Sequence, residues 1–349
     1  MCNFATITRK KQSIKMKIFY KVTLISSVIL ITTVGFIHNL LFTPYSATNT
    51  ASTFYVDKND TKDSVINKIT QMNPEKALGF TCAYKLFDIP TRMGKYQIKP
   101  ENTAFDILRM LRNGQQVPVK LIITPTWTIE KMASKMASQL MIDSAEIMNC
   151  LCNDTTLNLM DCTIETLPAH FIPNTYEVYW TISPQQLVRR MHDEYKKFWT
   201  PIRCEKAAQI GLTRHEVSTL ASIVCRETNY VPEMSTIAGL YLNRRRKNMY
   251  LQACPTVIFA RKDFSINRLT NPTEPDSPYN TYRYQGLPPG PIYLAPISAI
   301  DAVLNAQIHD YIYMCAKEDF SGTHNFAVTL SQHQQNARKY RMAYKRRFE

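Results

Sequence analysis

The sequence predicts an α+β protein tethered to a membrane by an N-terminal helix. Three observations carry this expectation. Residues 22–42 contain no Lys, Arg, Asp or Glu. Residues 54–123 alternate short strand-like and helical units. Beyond residue 129 the apolar spacing is mostly helical, interrupted by Pro-rich segments. At 349 residues the chain is long enough for about two domains.

The elements follow in chain order. A helix rises about 1.5 Å per residue, so residues 22–42 span roughly the 30 Å apolar layer of a bilayer. Arg9, Lys10, Lys11, Lys15, Lys17 and Lys21 precede this run with no acid among them. The positive flank predicts that residues 1–21 stay cytoplasmic and the remaining chain lies outside, in the periplasm. A signal peptide cut near Ala47 or Ala51 is the rival reading, but the run exceeds the usual apolar stretch of about 7–15 residues. Translation from Met16 would leave the anchor intact. Residues 43–52 are Ser/Thr/Ala-rich and read as a linker. Phe54-Tyr55-Val56 and Gly94 to Ile98 read as strands, as do residues 117–123. Residues 65–72 and 103–112 read as helices, the second with Phe105, Ile107, Leu108 and Leu111 apolar. A boundary near residue 116 separates a small subdomain, 53–116, from a larger one, 117–349. Helical spacing returns over 129–140, 185–198 and 331–344. Pro232 suits the first turn of a helix running to about Lys247. The dense segment 171–180 carries aromatics that fit a core slightly better than a glycan groove, and Glu177 is its acid of interest.

Residues 213–228 form the most informative helix. Thr213-Arg214-His215-Glu216 reads as a capping box. Val217, Leu220, Ala221 and Val224 then repeat at helical spacing, placing one face against a core. Glu227 falls on the flank of that stripe, where partial desolvation favours its neutral form. A general acid at neutral pH needs that property. Taken alone, the helix is better explained by a surface Glu in its last turn.

The downstream chain shifts that balance. Ser277-Pro278-Tyr279-Asn280-Thr281-Tyr282 precedes Gly286-Leu287-Pro288-Pro289-Gly290-Pro291-Ile292. Prolines fix φ and glycines permit tight turns, so the segment is a stiff, shaped loop. Its hydroxyl, amide and aromatic groups form the mixture that binds sugars. A Pro-rich connection held by its own side chains is the plainer alternative.

These segments also carry a resemblance. Ser222 to Thr228, Ile237 to Arg244, Leu251 to Val257, the loop above and Gly322-Thr323-His324-Asn325-Phe326 occur in order. Together they resemble the YceG-like endolytic murein transglycosylases, in their Bacteroidetes-type form, from about Phe54 to Tyr344. The resemblance implies a membrane-anchored two-part α+β fold: a small LysM-like subdomain that can hold glycan, and a larger catalytic domain. It implies that Glu227 is the catalytic acid/base. Two positions depart from the pattern. Cys225 stands where the family usually has a second Glu, and Cys254 where it usually has Asp. The paired replacement raises the expectation that the two sites are neighbours, joined by a Cys225–Cys254 disulfide.

The implied reaction cuts the β-1,4 bond between N-acetylmuramic acid and N-acetylglucosamine and leaves 1,6-anhydro ends, terminating strand elongation. It needs no metal or cofactor. Tyr279, Asn280 and Thr281 are expected to contact substrate, with Gln252 and Thr256 in support and His324 in the cleft, although a lone His is as well explained structurally. Ordinary glycosidases use two carboxyl groups, about 5–9.5 Å apart. Glu177, Glu233, Glu274 and Asp276 are the candidates for a second acid. A hydrolytic muramidase and a non-catalytic peptidoglycan-binding scaffold are the rival functions. The family implies contact with penicillin-binding synthases.

Charge and cysteines bound the remaining choices. Of the net +14, six charges lie in the N-terminal flank, leaving +8 for the rest. A mildly basic outer domain suits an anionic wall polymer or membrane surface, and no nucleic-acid motif is present. Nine cysteines include no Cys-x-x-Cys pair and lack accompanying His, so no zinc site is expected. Cys2 falls on the cytoplasmic side. The other eight are free to form disulfides in an oxidising periplasm.

Overall fold

The computed structural model describes residues 3–45, 49–265 and 271–348, with side chains from residue 15. Cys2, Ala47 and the side chains of Arg9, Lys10 and Lys11 lie outside the described residues. The chain divides into two compact units. The first comprises residues 1–119 and 179–181, the second residues 120–178 and 182–349.

The first unit begins with the long helix α1 (Asn3–Phe42). Its segment Lys15–Phe42 is long and apolar enough to cross a membrane. The hydroxyls within it return to the helix itself. Ser26, Thr32 and Thr33 donate to the carbonyls of Val22, Val28 and Ile29 at 2.8, 2.9 and 2.7 Å. Side chains that satisfy themselves in this way remain compatible with an apolar surrounding. The expected linker is partly packed: Tyr45 is fully buried, and its N–H donates to the Asn102 carbonyl at 2.7 Å.

Strand β1 (Ser52–Val56) is followed by α2 (Lys62–Thr70) and, after a short 3-10 turn, by α3 (Ala77–Leu86). Then come β2 (Gly94–Ile98) and α4 (Ala104–Asn113). Strands β1 and β2 pair antiparallel, with Phe54 opposite Tyr96 and their rings stacked at 5.5 Å. Helix α3 was not foreseen. It makes the order strand–helix–helix–strand. Residues 179–181 complete this unit from far along the chain. The Trp180 ring meets Tyr55 at 4.9 Å, and the Thr181 hydroxyl donates to the Gln116 side-chain oxygen at 3.2 Å.

The second unit is mainly helical. Strand β3 (Val119–Ile123), which begins at its edge, pairs with β4 (Asn174–Val178). Between them lie α5 (Ile129–Ala137), α6 (Ser144–Leu151), α7 (Asp154–Met160) and a 3-10 turn at Leu167–His170. Then follow α8 (Pro184–Phe198), α9 (Pro201–Gln209), α10 (Arg214–Glu227), α11 (Val231–Arg246), α12 (Cys254–Arg261) and α13 (Ile297–Leu304). A hairpin of β5 (Tyr313–Ala316) and β6 (His324–Ala327) precedes α14 (Leu330–Phe348).

Helix α10 is the centre of this unit. Its capping box forms as the sequence predicts: Glu216 N–H donates to the Thr213 hydroxyl, and Thr213 N–H to the Glu216 carboxylate. The expected apolar stripe is in fact a full sleeve, because residues 217–225 are all buried. Each buried Val or Leu contributes about 1.5–3 kcal/mol. Polar residues inside the sleeve bond locally, Ser218 to the Arg214 carbonyl and Thr219 to that of His215. Ser222 does more: its hydroxyl also accepts the Ile292 N–H at 3.0 Å, pinning the Pro-rich loop to the helix. Beside that anchor, Gly290 lies against the Glu165–Thr166 backbone, where an added Cβ would sit 1.9 Å from the Glu165 carbonyl oxygen.

Three histidines are packed near the start of α10. His170 and His215 face each other, Nε2 to Nε2 at 3.0 Å, and the His170 ring stacks on Tyr195 at 4.0 Å and on His192 at 5.9 Å. Burial pushes His170 down to about 3, aided by His215, His192 and Arg214, and burial also lowers His192 and His215.

Two predictions follow from this packing. Gly290→Ala is expected to destabilise the protein by about 1–3 kcal/mol, the usual cost of overpacking, read from its urea unfolding midpoint. An unchanged midpoint would contradict the close approach. The second concerns pH. His170 stays neutral in the fold down to about pH 3, while the unfolded chain takes up a proton there below about 6.5. Stability therefore falls as pH drops from about 6.5 toward 3, by about 1.4 kcal/mol per pH unit for His170 alone. Urea melts at pH 6.5 and 5.5 measure this slope, and His170→Gln is expected to reduce it.

Candidate active site

Glu227 is the last residue of α10, and the chain turns there because Thr228 is extended. After that turn α11 packs back on α10 and brings Tyr241 over the carboxylate. The Tyr241 hydroxyl donates to Glu227 Oε1 at 2.8 Å. The pair opens into a cavity of about 430 Å³. Arg244, Gln252, Tyr282 and His324 line it with them. Among the described residues lining this cavity, Glu227 carries the sole carboxylate. No cluster of His, Cys, Asp or Glu among the described residues could hold a metal ion.

The electrostatics favour a protonated Glu227. Burial raises its pKa, while the Tyr241 hydrogen bond and His324 pull it down less strongly. The position adds to burial, because the C-terminal end of a helix disfavours negative charge. Burial also drives the Tyr241 hydroxyl up, and the Glu227 charge reinforces this, so Tyr241 remains a donor. A neutral carboxyl with a fixed hydrogen-bond donor can deliver a proton and hold the resulting charge.

The wall opposite is stitched to the loop. Arg244 donates to the Tyr250 and Ile312 carbonyls, both at 2.9 Å, and to Gln252 Oε1 at 2.5 Å. Gln252 adopts a left-handed backbone, φ 51°, and its N–H donates to the Thr281 carbonyl. His324 is fixed by Glu233, which accepts from the His324 N–H at 2.7 Å and contacts Nδ1 at 2.9 Å.

Of the residues expected at the site, Glu227, Gln252 and His324 are brought together. Asn280, Thr281 and Thr256 are buried and spent within the fold. Asn280 Nδ2 donates to the Pro272 and Pro275 carbonyls, and its Oδ1 accepts from Tyr282 N–H. The Thr256 and Thr281 hydroxyls meet at 2.8 Å. They shape the loop from inside rather than face the cavity. Tyr279 lies in a different cavity.

The candidate second acids do not join Glu227 in its cavity. Glu177 is exposed on β4. Glu233 is engaged by His324, Glu274 pairs with Arg261 at 3.1 Å, and Asp276 accepts from Tyr284 at 2.6 Å. The Cys225–Cys254 disulfide is not formed. Cys225 is buried and donates to the Ser222 carbonyl, whereas Cys254 lies 3.3 Å from the Tyr282 hydroxyl. Sequence reasoning missed Tyr241 and Arg244 as site residues. Both lie in the segment Ile237 to Arg244 already singled out, where Tyr and Arg are the chemically active members.

A model of the YceG-like family matches residues 54–339, most of the chain. The chain belongs to the YceG-like family. An endolytic murein transglycosylase of Bacillus subtilis (strain 168) is 38% identical over 126 residues, covering 36% of this chain and 34% of that protein. One from Streptococcus pneumoniae (serotype 2, strain D39) is 26% identical over 257 residues, covering 64% of this chain and 46% of its own length. This chain thus spans a third to about half of these curated relatives. The crystal structure of a YceG-like protein from Listeria monocytogenes shares the fold, with a TM-score of 0.57 and 23% identity over 82% of this chain and 99% of that one.

Removing the tyrosine tests the electrostatics. A hydrogen bond from a fixed donor favours the charged carboxylate. Tyr241→Phe is therefore expected to raise the Glu227 pKa further, measured by carboxyl-carbon NMR titration. A lowered or unchanged value would remove Tyr241 from this role.

Proposed function

We propose that this chain is an endolytic lytic transglycosylase. It cuts the β-1,4 bond between N-acetylmuramic acid and N-acetylglucosamine in nascent glycan strands and leaves 1,6-anhydro ends. One observation carries the proposal: a single carboxyl, Glu227, desolvated and paired with Tyr241, in a cavity with no second acid among its described residues. Family membership and relatives named endolytic murein transglycosylase support it.

A single carboxyl suffices when the nucleophile belongs to the substrate. Protonated Glu227 gives its proton to the glycosidic oxygen as the bond to C1 breaks. The carboxylate then takes the proton of the muramic acid 6-hydroxyl, whose oxygen bonds to C1 and closes the anhydro ring. Glu227 ends the cycle protonated and no water is consumed. Tyr241 steadies the carboxylate between the two transfers. Gln252 and His324 offer polar contacts to the sugar, each held by its own partner, Arg244 or Glu233.

The same proposal assigns α1 as a single-pass inner-membrane anchor with the N-terminus cytoplasmic and the chain beyond α1 periplasmic. Lys15, Lys17 and Lys21 support that orientation. An anchored enzyme works on strands as they are made and terminates their elongation, next to penicillin-binding synthases. The strand–helix–helix–strand order of the first unit supports a LysM-like, glycan-holding role.

The test uses the full chain in detergent with uncrosslinked glycan strands, followed by mass spectrometry of the new ends. Ends one water lighter than reducing sugars are expected, and Glu227→Gln is expected to lower the rate by about 10²–10⁴-fold, the usual contribution of a general acid. Reducing ends would mean a muramidase, and no cleavage by the native chain would mean a scaffold.

A further inference from the structure

The second unit holds another cavity, larger than that of Glu227, at about 540 Å³. Aromatic pairs line it. Trp127 and Phe264 stack at 4.8 Å, and Phe259 and Tyr279 meet at 4.7 Å. Phe264 remains 38% exposed. Glu130, Glu165 and Lys262 lie among the lining residues. Aromatic surface with carboxylates beside it matches a saccharide, whose C–H faces pack on rings while hydroxyl and acetamido N–H groups donate to acids.

The same elements contribute to both cavities, although no residue lines both. Glu227 lines one, while the adjacent Arg226 lies over Trp127 at 4.4 Å and Tyr293 at 5.0 Å. Helix α12 contributes Cys254 to the first and Phe259 to the second. The loop contributes Tyr282 to the first and Tyr279 to the second. A compact substrate fills one cavity, whereas a polymer is long enough to occupy both.

We propose that the aromatic cavity is a remote subsite for N-acetylated sugars of the glycan strand whose scissile bond lies at Glu227. The inference rests on the transglycosylase reading for the identity of the strand. Lys262 can donate to acetamido carbonyl or hydroxyl oxygens of the sugars. Binding there holds a long strand in place without touching the reacting bond, so its loss weakens binding and leaves the chemical step intact.

The experiment measures strand binding by calorimetry with the full-length Glu227→Gln chain in detergent, using peptide-free glycan strands, a single disaccharide and the free stem peptide as probes. Phe264→Ala is expected to weaken long-strand binding about tenfold and leave disaccharide binding unchanged. Glu165→Gln, at an exposed position, is expected to act in the same direction and guards against a folding defect. In the catalytic background Phe264→Ala is expected to raise KM with kcat retained. Strand affinity unchanged from the parent chain in both variants, or displacement of the strand by stem peptide alone, would overturn the subsite. Strand binding that depends on Phe264 in a chain that cuts nothing would uphold the subsite and refute the transglycosylase reading. Cleavage indifferent to Phe264 would do the reverse.

Discussion

The site depends on the burial of α10 on every side. Residues 217–225 are enclosed without a break, so the helix cannot rotate or slide without opening a core. Its last residue is consequently placed by the whole second unit. Ser222 carries the constraint outward, because its hydroxyl both donates to the Thr219 carbonyl and accepts from Ile292 N–H. One side chain thereby fixes the helix and the Pro-rich loop to each other.

That rigidity matters because the carboxyl at the helix end has opposing influences on it. Desolvation and the helix terminus favour the neutral acid, while Tyr241 favours the anion. A proton donor that must become a base within one cycle needs both, at fixed distance. Positions are set by α10 and α11 packing, and the surrounding polar groups are each held by a second residue: Gln252 by Arg244, His324 by Glu233. Both support pairs involve α11, which therefore acts as the common scaffold of the cavity.

The sequence was informative where the physics is local. The Thr213 capping box, the helix ending at Glu227 and the long apolar helix α1 are written in neighbouring residues. Helix α3 was lost because its aromatic and small residues give no clean single face. The fates of Asn280, Thr281 and Thr256 were not legible, since polar side chains look alike in sequence whether they face a ligand or bond to a buried partner. Only the folded loop shows Asn280 bonded to two proline carbonyls. Tyr241 was hidden for the opposite reason, as an aromatic among apolar helix residues reads as core. Cys225 and Cys254 illustrate a limit of pattern comparison: a paired departure from a family pattern does not specify a covalent link, and here the two thiols have separate partners.

The chain's return at residues 179–181 has a consequence for the order of assembly. Proteins are synthesised from the N-terminus, and domains generally fold as they emerge. Tyr55 acquires its ring contact only with Trp180, and Gln116 its hydroxyl donor only with Thr181. The first unit is therefore unfinished while residues 120–178 are still being made, and its last pieces arrive with β4 of the second unit. A fragment that stops short of residue 179 would therefore lack both contacts.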